Sequence, residues 1–320
     1  MPVRHFRRLA RALLVVVPLL SACSGGESGS EPTVRTNRPV FHQDRAFDLL
    51  KQQVAFGPRI PNTAPHQRQI EWMTDFLKPR ADTVIPQHFD WTTTGGDTLH
   101  LTNLFVRFRP ELKDRILLVT HWDTRPRSDQ AKDPADRDKP VPGANDAASG
   151  TAVLMELADV FRRQPPPVGV DMLFVDGEDY GPGEEDMYLG ARYFVDHMPP
   201  GYQPLYGILL DMVGDAEPLF PVEPFSQQYA PEVVQRIWSV ARDLGYGAYF
   251  PESIGPGVVD DHVTLNKAGI HTADIIDFQY GPGEPGGAYW HTPQDLPEHT
   301  SAKTLGIVGN VVAELIYRGG

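Results

Sequence analysis

The sequence predicts a single α/β domain with a mostly parallel, mixed central sheet, helices on both faces and an antiparallel hairpin at one edge. Four short apolar runs, at 116–120, 170–175, 207–212 and 272–276, are typical of buried parallel strands. Segments with helical apolar spacing alternate with these runs, and this alternation favours a parallel sheet covered on both faces. Two alternating apolar and polar segments, at 83–92 and 99–108, flank a Gly-Gly pair and predict the hairpin.

The first 22 residues predict an export signal. They contain four arginines and no acidic residue, followed by an apolar run at 12–20 that is too short to span a bilayer as a helix. The run ends in Leu-Ser-Ala-Cys at 20–23, which resembles the lipobox of bacterial lipoproteins, and Cys23 is the only cysteine of the chain. We therefore expect a signal peptide at 1–22, a lipidated N-terminus and flexible tether at 23–40, and an exported, membrane-anchored lipoprotein.

The remaining residues, 41–320, show no second linker and no repeat, so they predict one folded domain. Helical apolar spacing places helices at 44–56, 66–77, 149–163, 190–197, 231–244 and 300–317. Acidic residues outnumber basic ones by 42 to 29, which gives a formal charge of −13. No basic surface is available for a phosphate backbone, so nucleic acid is not an expected partner.

Carboxylates and histidines follow the predicted strands directly. His121 ends the first strand region, Glu178 and Asp179 follow the second, and Asp211 ends the third. In folds of this class the ligand crevice lies beyond the carboxyl ends of the strands. Carboxylate and imidazole ligands without thiolates suit a catalytic Zn²⁺ with an open coordination position, and adjacent acids can divide metal binding from proton transfer.

Simpler interpretations exist for single residues in this set. Asp146 precedes the helix predicted at 149, where an aspartate is often only a cap residue. The charged run at 125–139 is most simply a solvated loop. The metal-site hypothesis therefore depends on the ordered set of motifs and not on any one residue.

The ordered motifs resemble those of the animal-type glutaminyl-peptide cyclotransferases, including their bacterial members, within a wider superfamily of zinc aminopeptidases. The motifs are His-x-Asp at 121–123, Gly-Ala-Asn-Asp-x-x-Ser-Gly at 143–150, Asp-Gly-Glu-Asp-Tyr-Gly at 176–181, Leu-Leu-Asp-Met-Val-Gly at 209–214, Asp-Asp-His at 260–262 and Trp-His-Thr at 290–292. The resemblance extends from about Phe56 to the final predicted helix. Trp-His-Thr and Asp-Asp-His point to the cyclase branch.

This resemblance implies a site in which each motif has a role. The implied ligands of one zinc ion are Asp146, Asp179 and His291. Glu178 would act as general base and acid, and Asp211 and Asp260 would form a hydrogen-bonded carboxylate network beside it. Trp290 would form a wall of the pocket for a glutamine side chain. The implied substrates are peptide or protein N-termini, and the only implied membrane contact is the lipid anchor.

Two other functions remain open at this point. A two-zinc aminopeptidase would use His121 and Asp211 as ligands of a second metal, and all five positions that such enzymes need are present. A lipid-anchored binding protein with an inactive site is the other alternative, although the retained Glu178 argues against it. One departure from the cyclases is the segment after Asp179, which is shorter and lacks their tryptophan.

Overall fold

The computed structural model describes residues 1–3, 36–283 and 286–320 of the chain. The chain divides into two units, Met1–Thr33 and Val34–Gly320, and the fold described below belongs to the second. Cys23 and nearly all of the predicted signal and tether lie outside the described residues, so lipidation and export stay predictions. In the described part of the chain, no helix combines the length and apolar character that crossing a bilayer requires.

The α/β prediction is confirmed. The helices of the described residues are α1 (Gln43–Ala55), α2 (Ala64–Leu77), α3 (Ala148–Arg163), α4 (Leu189–Asp196), α5 (Pro224–Tyr229), α6 (Pro231–Asp243), α7 (Asp261–Lys267) and α8 (Ala302–Tyr317). The strands are β1 (Thr83–Thr92), β2 (Thr98–Phe108), β3 (Arg115–His121), β4 (Gly169–Val175), β5 (Tyr206–Asp211), β6 (Thr272–Ile276), β7 (Gln279–Tyr280) and β8 (Gly286–Gly287).

Six strands form the main sheet in the order β1-β2-β4-β3-β5-β6. The strands β4, β3, β5 and β6 are parallel, whereas β2 runs antiparallel to both β1 and β4. The predicted hairpin therefore forms one edge of the sheet. A separate parallel pair, β7 with β8, lies in the last third of the chain.

Both faces of the sheet are covered by helices. In β3, Ile116 and Leu118 belong to the larger apolar cluster, to which α1, α2, α3, α6 and α8 contribute. Leu117 and Val119 point to the opposite face, where they belong to the cluster that includes Phe194 of α4. This alternation explains why the central strands read as continuous apolar runs: both faces of each strand are buried.

The order of the strands determines where the candidate site lies. From β3 the chain crosses to β4 on one side, and β5 then pairs on the other side of β3. The connections therefore diverge between β3 and β5, and in such sheets ligands bind in the crevice outside the carboxyl ends at this point. His121 is the last residue of β3 and Asp211 is the last residue of β5.

Two short helices, α5 and α7, were not predicted from the sequence. They contain six and seven residues, so neither has the two or more turns over which helical spacing becomes visible. Glu223 caps the first turn of α5 by accepting hydrogen bonds from two backbone N–H groups, and Asp260 caps α7.

The last residues assigned to the tether, 36–40, are held against the folded domain. The carboxylate of Glu314 in α8 accepts hydrogen bonds from the backbone and hydroxyl of Thr36, and from Nε of Arg38, all at 3.0 Å. The side chain of Glu314 is fully buried, so this ion pair is well shielded from water. The sequence pattern missed the contact because Thr36 and Glu314 are 278 positions apart.

Gly150 lets α3 approach the ends of β3 and β5 closely. A methyl group at this position would collide with the carbonyl oxygen of Leu210 and the hydroxyl of Thr120. Helix α3 begins just after Asp146, so its close approach also determines where that carboxylate lies.

We expect Gly150→Ala to lower the free energy of unfolding by about 1–3 kcal/mol, because the added methyl group overpacks this contact. Glycine to alanine in an open helix interior would have the opposite effect, a gain of about 0.5–1 kcal/mol. Urea unfolding measures the difference, with Gln52→Ala on the exposed face of α1 as the control. Equal or greater stability of Gly150→Ala would contradict the tight contact.

Candidate active site and metal centre

Except for the buried His121, the predicted site residues of the folded domain line one cavity of about 370 Å³ at the carboxyl ends of the parallel strands. Its polar wall includes Arg125 together with the predicted carboxylates and histidine: Asp146, Glu178, Asp179, Asp211, Asp260 and His291. Its apolar wall includes Met212, Val258, Ile276, Phe278 and Trp290. The structure thus brings together residues that are up to 145 positions apart, between Asp146 and His291.

Asp146, Asp179 and His291 each direct one ligand atom to a common point, with these atoms all within 4.8 Å of one another. Nε2 of His291 lies 3.4 Å from Oδ2 of Asp146 and 3.3 Å from Oδ2 of Asp179. Two ligands of a tetrahedral zinc ion with bonds of about 2.0–2.1 Å are about 3.3–3.4 Å apart, so the spacing fits this metal. Oδ2 of Asp179 is buried without a hydrogen-bond partner in the structure, as expected of an atom that faces a cation.

A second group, formed by His121, Asp146 and Asp211, lies next to the first and shares Asp146 with it. Nε2 of His121 is 3.0 Å from Oδ1 of Asp146 and 3.1 Å from Oδ1 of Asp211, which are hydrogen-bond distances. Burial alone would lower the pKa of His121, but its carboxylate partners outweigh this effect and raise the pKa well above its ordinary value. His121 therefore serves as a hydrogen-bond donor between two carboxylates in this structure.

Glu178, Asp211 and Asp260 form a group of buried carboxyl groups beside the first cluster. Burial raises the pKa of Glu178 well above its ordinary value, and the charges of Asp179 and Asp260 add to this effect. Burial also raises the pKa of Asp211, and burial with the nearby charge of Asp211 raises the pKa of Asp260 to about 7. Raised pKa values favour the protonated forms of such groups, and they are common at sites that transfer protons.

Asp260 is backed by further buried polar groups. Nε2 of His262 lies 3.1 Å from Oε2 of Glu223, and His262 is fully buried between Glu223 and Asp274. Burial and the charge of Asp260 raise the pKa of Asp274 well above its ordinary value. These contacts keep the start of α7, and with it Asp260, in a defined position.

Two buried aspartates hold the backbone of the candidate ligands. The carboxylate of Asp123 accepts hydrogen bonds from the backbone N–H groups of Glu178 and Asp179, at 3.1 and 3.2 Å. Asp295 does the same for Asn145 and Asp146, at 2.7 and 3.2 Å. The sequence analysis did not predict these roles. The sequence indicates them only by position, since Asp123 follows His121 by two residues and Asp295 follows His291 by four.

The Gly-Ala-Asn-Asp-x-x-Ser-Gly motif connects the loop before α3 to the end of β5. Oδ1 of Asn145 accepts a hydrogen bond of 2.7 Å from the N–H of Gly214, and Oγ of Ser149 accepts one of 3.0 Å from the N–H of Val213. These bonds attach the segment that carries Asp146 to the segment that follows Asp211. The motif therefore determines the separation of the two carboxylates.

Three residues that line the cavity have backbone dihedral φ in the left-handed region. The values are +50° for His291, +49° for Met212 and +59° for Tyr188. Each costs free energy for a non-glycine residue, and such residues concentrate at functional sites where the surrounding structure maintains them. Tyr188 is held by a hydrogen bond of 2.8 Å from its hydroxyl to the carbonyl of Val259 across the cavity mouth.

The short segment after Asp179 is attached to the hairpin. Oδ1 of Asp186 accepts a hydrogen bond of 3.0 Å from Nε1 of Trp91, and Oδ2 accepts one of 2.7 Å from the hydroxyl of Thr94. Among the described residues that line the cavity, Trp290 is the only tryptophan. Its ring stacks on that of His291, with centroids 4.0 Å apart, and meets the edge of Phe278 at 4.9 Å.

The chain is similar in sequence to a known protein family and to curated proteins. Residues 103–316 match the model of peptidase family M28. Aminopeptidase YwaD of Bacillus subtilis is 28% identical over 212 residues, which is 64% of this chain and 41% of that protein. The chain spans between 41% and 63% of the length of the first curated relatives that it matches.

Solved structures match over almost their whole length. Glutaminyl cyclase of Bacteroides thetaiotaomicron, bound to N-acetylhistamine, is 37% identical with a TM-score of 0.85, over 88% of this chain and 99% of that chain. A Zn-dependent exopeptidase from Parabacteroides distasonis is 38% identical with a TM-score of 0.83, over 87% and 99%. The family match covers more than half of the sequence, and the cavity contains the motifs that suggested the resemblance. The chain therefore belongs to peptidase family M28.

Proposed function

We propose that this protein is a zinc-dependent glutaminyl-peptide cyclotransferase, which converts the N-terminal glutamine of peptides or proteins to pyroglutamate and releases ammonia. The structural similarity to a glutaminyl cyclase over nearly the whole of that chain supports this function. Asp146, Asp179 and His291 are the proposed ligands of a single zinc ion.

The observation that carries the proposal is the difference between the two histidines. His291 is separated from Asp146 and Asp179 by the distance expected between ligands of one tetrahedral zinc ion. His121 is closer to its carboxylates, at hydrogen-bond distance. The His291 cluster also contains a buried ligand oxygen without a hydrogen-bond partner, Oδ2 of Asp179, which supports a metal there. Cyclisation needs only one metal because the nucleophile belongs to the substrate.

A zinc ion at this site would supply a Lewis acid that polarises the γ-carboxamide carbonyl of the substrate. Trp290 and Phe278 provide an apolar wall against which the methylenes of a glutamine side chain can pack. Glu178 accepts a proton from the substrate α-amine as the new bond between that nitrogen and the carboxamide carbon forms. The bond to the carboxamide nitrogen then breaks, and Glu178 returns the proton to the departing ammonia.

Asp211 and Asp260 assist this proton transfer by their position. Both carboxyl groups line the cavity together with Glu178. Burial raises the pKa values of Glu178 and Asp260, and neighbouring carboxylates add to this effect, which favours proton transfer by Glu178. The same carboxyl groups can accept hydrogen bonds from the substrate amine.

A two-zinc aminopeptidase is the second candidate, and one observation favours it. The ligand atoms of His121, Asp146 and Asp211 also lie within 4.8 Å of one another, and Asp146 could bridge two ions. The aminopeptidase of Bacillus subtilis is a relative of this chain. A protein with an inactive site is a third candidate, and it would contain almost no bound metal.

The decisive experiment offers the purified protein two peptides that differ only in an N-terminal glutamine or leucine. We expect loss of ammonia from the first peptide and no change in the second, and mass spectrometry distinguishes loss of ammonia from loss of a residue. Removal of the leucine without release of ammonia from the glutamine peptide would establish the aminopeptidase instead.

Glu178→Gln is expected to fold and bind zinc but to lose cyclisation by at least about 10²–10⁴-fold, because the group that transfers the proton is gone. Asp179→Asn is expected to lose zinc as well, since a ligand is weakened. Metal analysis and turnover of the glutamine peptide check both variants. If the two variants retained the same amount of zinc, the roles of these neighbours would be wrongly assigned.

His291→Ala is expected to lose zinc and activity, whereas His121→Ala should retain about one zinc ion per chain and lose activity by about 10–100-fold, since it only orients Asp146 and Asp211. Zinc content and turnover of the glutamine peptide are measured for both variants. Two zinc ions per wild-type chain, with one lost in His121→Ala, would favour the aminopeptidase.

A further inference from the structure

The charged run at 125–139 is not simply a solvated loop, as the sequence alone suggested. Its first residue, Arg125, has a side chain that is only 6% exposed, and Ser128 is fully buried. The exposed charged residues of the run, such as Lys139, come later. Burying a guanidinium group is costly unless it is paired, so the partners of Arg125 indicate its role.

Arg125 connects two carboxylates at the edge of the proposed zinc site. Its Nη1 donates a hydrogen bond of 2.6 Å to Oδ1 of Asp179. Its Nε and Nη2 both donate to Oδ2 of Asp129, at 3.0 and 2.6 Å. The planar guanidinium thus binds both acids at once, which a lysine ammonium cannot reproduce with the same geometry.

Asp129 in turn faces His291. Its Oδ1 lies 3.4 Å from Nδ1 of His291, and neither of these buried atoms has a hydrogen-bond partner among the described residues. The loop is also attached at this point through its backbone, since the N–H of Gln130 donates to the carbonyl of His291 at 3.2 Å. One arginine and one aspartate therefore contact two of the three proposed ligands.

We propose that Arg125 and Asp129 are positioning residues that prepare Asp179 and His291 for zinc. Because Arg125 occupies Oδ1 of Asp179, only Oδ2 is directed to the metal, and Asp179 binds through one oxygen. Because Oδ1 of Asp129 faces Nδ1 of His291 at 3.4 Å, it favours the tautomer with the proton on Nδ1, and this leaves the lone pair of Nε2 for the metal. A ligand set of three single atoms keeps the fourth position of a tetrahedral ion open for a substrate oxygen.

This inference rests on the proposed zinc ligands and not on which reaction the site performs. Two variants test it. Arg125→Lys keeps the positive charge but loses the planar guanidinium that binds Asp179 and Asp129 at once. Asp129→Asn is nearly isosteric, and its position is partly exposed. Lys139→Gln is the control, because it removes a charge from the same loop at an exposed ion pair with Asp136. All four proteins are compared as the full folded domain.

The first measurement is zinc affinity by competition with a chelator, in the absence of substrate. We expect the dissociation constant to rise by about 10–100-fold in Arg125→Lys and Asp129→Asn and to stay unchanged in Lys139→Gln. The second measurement is the visible absorption of the Co²⁺-substituted proteins. Arg125→Lys is expected to lose absorption intensity as the freed Oδ1 of Asp179 also binds and the coordination number increases.

Circular dichroism and thermal unfolding of the metal-free proteins test whether each variant folds. If Arg125→Lys fails to fold, Asp129→Asn still tests the proposal. Unchanged zinc affinity in folded Asp129→Asn would overturn it. Unchanged affinity and spectrum in Arg125→Lys, with slower turnover of the glutamine peptide, would show that Arg125 acts on the substrate instead. Weaker zinc binding in the variants of a protein that releases no ammonia would support this inference and refute the cyclase.

Discussion

The structure depends on one constraint, the crowding of carboxylates in a crevice that excludes most water. Asp146, Glu178, Asp179 and Asp260 are each less than a tenth exposed, and Asp211 adjoins them. Isolated buried charges would be strongly destabilising, so each carboxylate needs a proton, a cation or a hydrogen-bond donor. The hydrogen bonds and ion pairs that these carboxylates make therefore position the loops around the cavity.

The chain meets this requirement in different ways at different carboxylates. His121 donates between Asp146 and Asp211, and the guanidinium of Arg125 pairs with Asp179. Burial raises the pKa values of Glu178 and Asp260. Oδ2 of Asp179 has no hydrogen-bond partner where it converges with Asp146 and His291, and a zinc ion would fit this position. In the proposed function, the carboxyl groups with raised pKa values transfer protons and their neighbours bind the metal.

The scaffold supports this arrangement because its parallel strands end at one edge. β3, β4 and β5 deliver His121, Glu178 with Asp179, and Asp211 to neighbouring positions. Asp123 and Asp295 hold the site loops in place, because each carboxylate accepts a pair of hydrogen bonds from backbone N–H groups. The close approach of α3 at Gly150 completes the site by placing Asp146 over the gap between β3 and β5.

The sequence by itself determined the fold class and the six strands of the main sheet, because burial and alternation are local patterns. Its ordered motifs and their resemblance to a known family predicted the carboxylates and His291 of the cavity. It could not determine the roles of Arg125, Asp129 or Asp295, since an isolated charge in a loop looks the same whether it faces water or another side chain. It also missed α5 and α7, which are too short for a helical period, and the contact of Thr36 with Glu314 across 278 positions. Only the tertiary structure decided these points, because partners for buried charges come from segments that are distant in the chain and meet only when the sheet has formed.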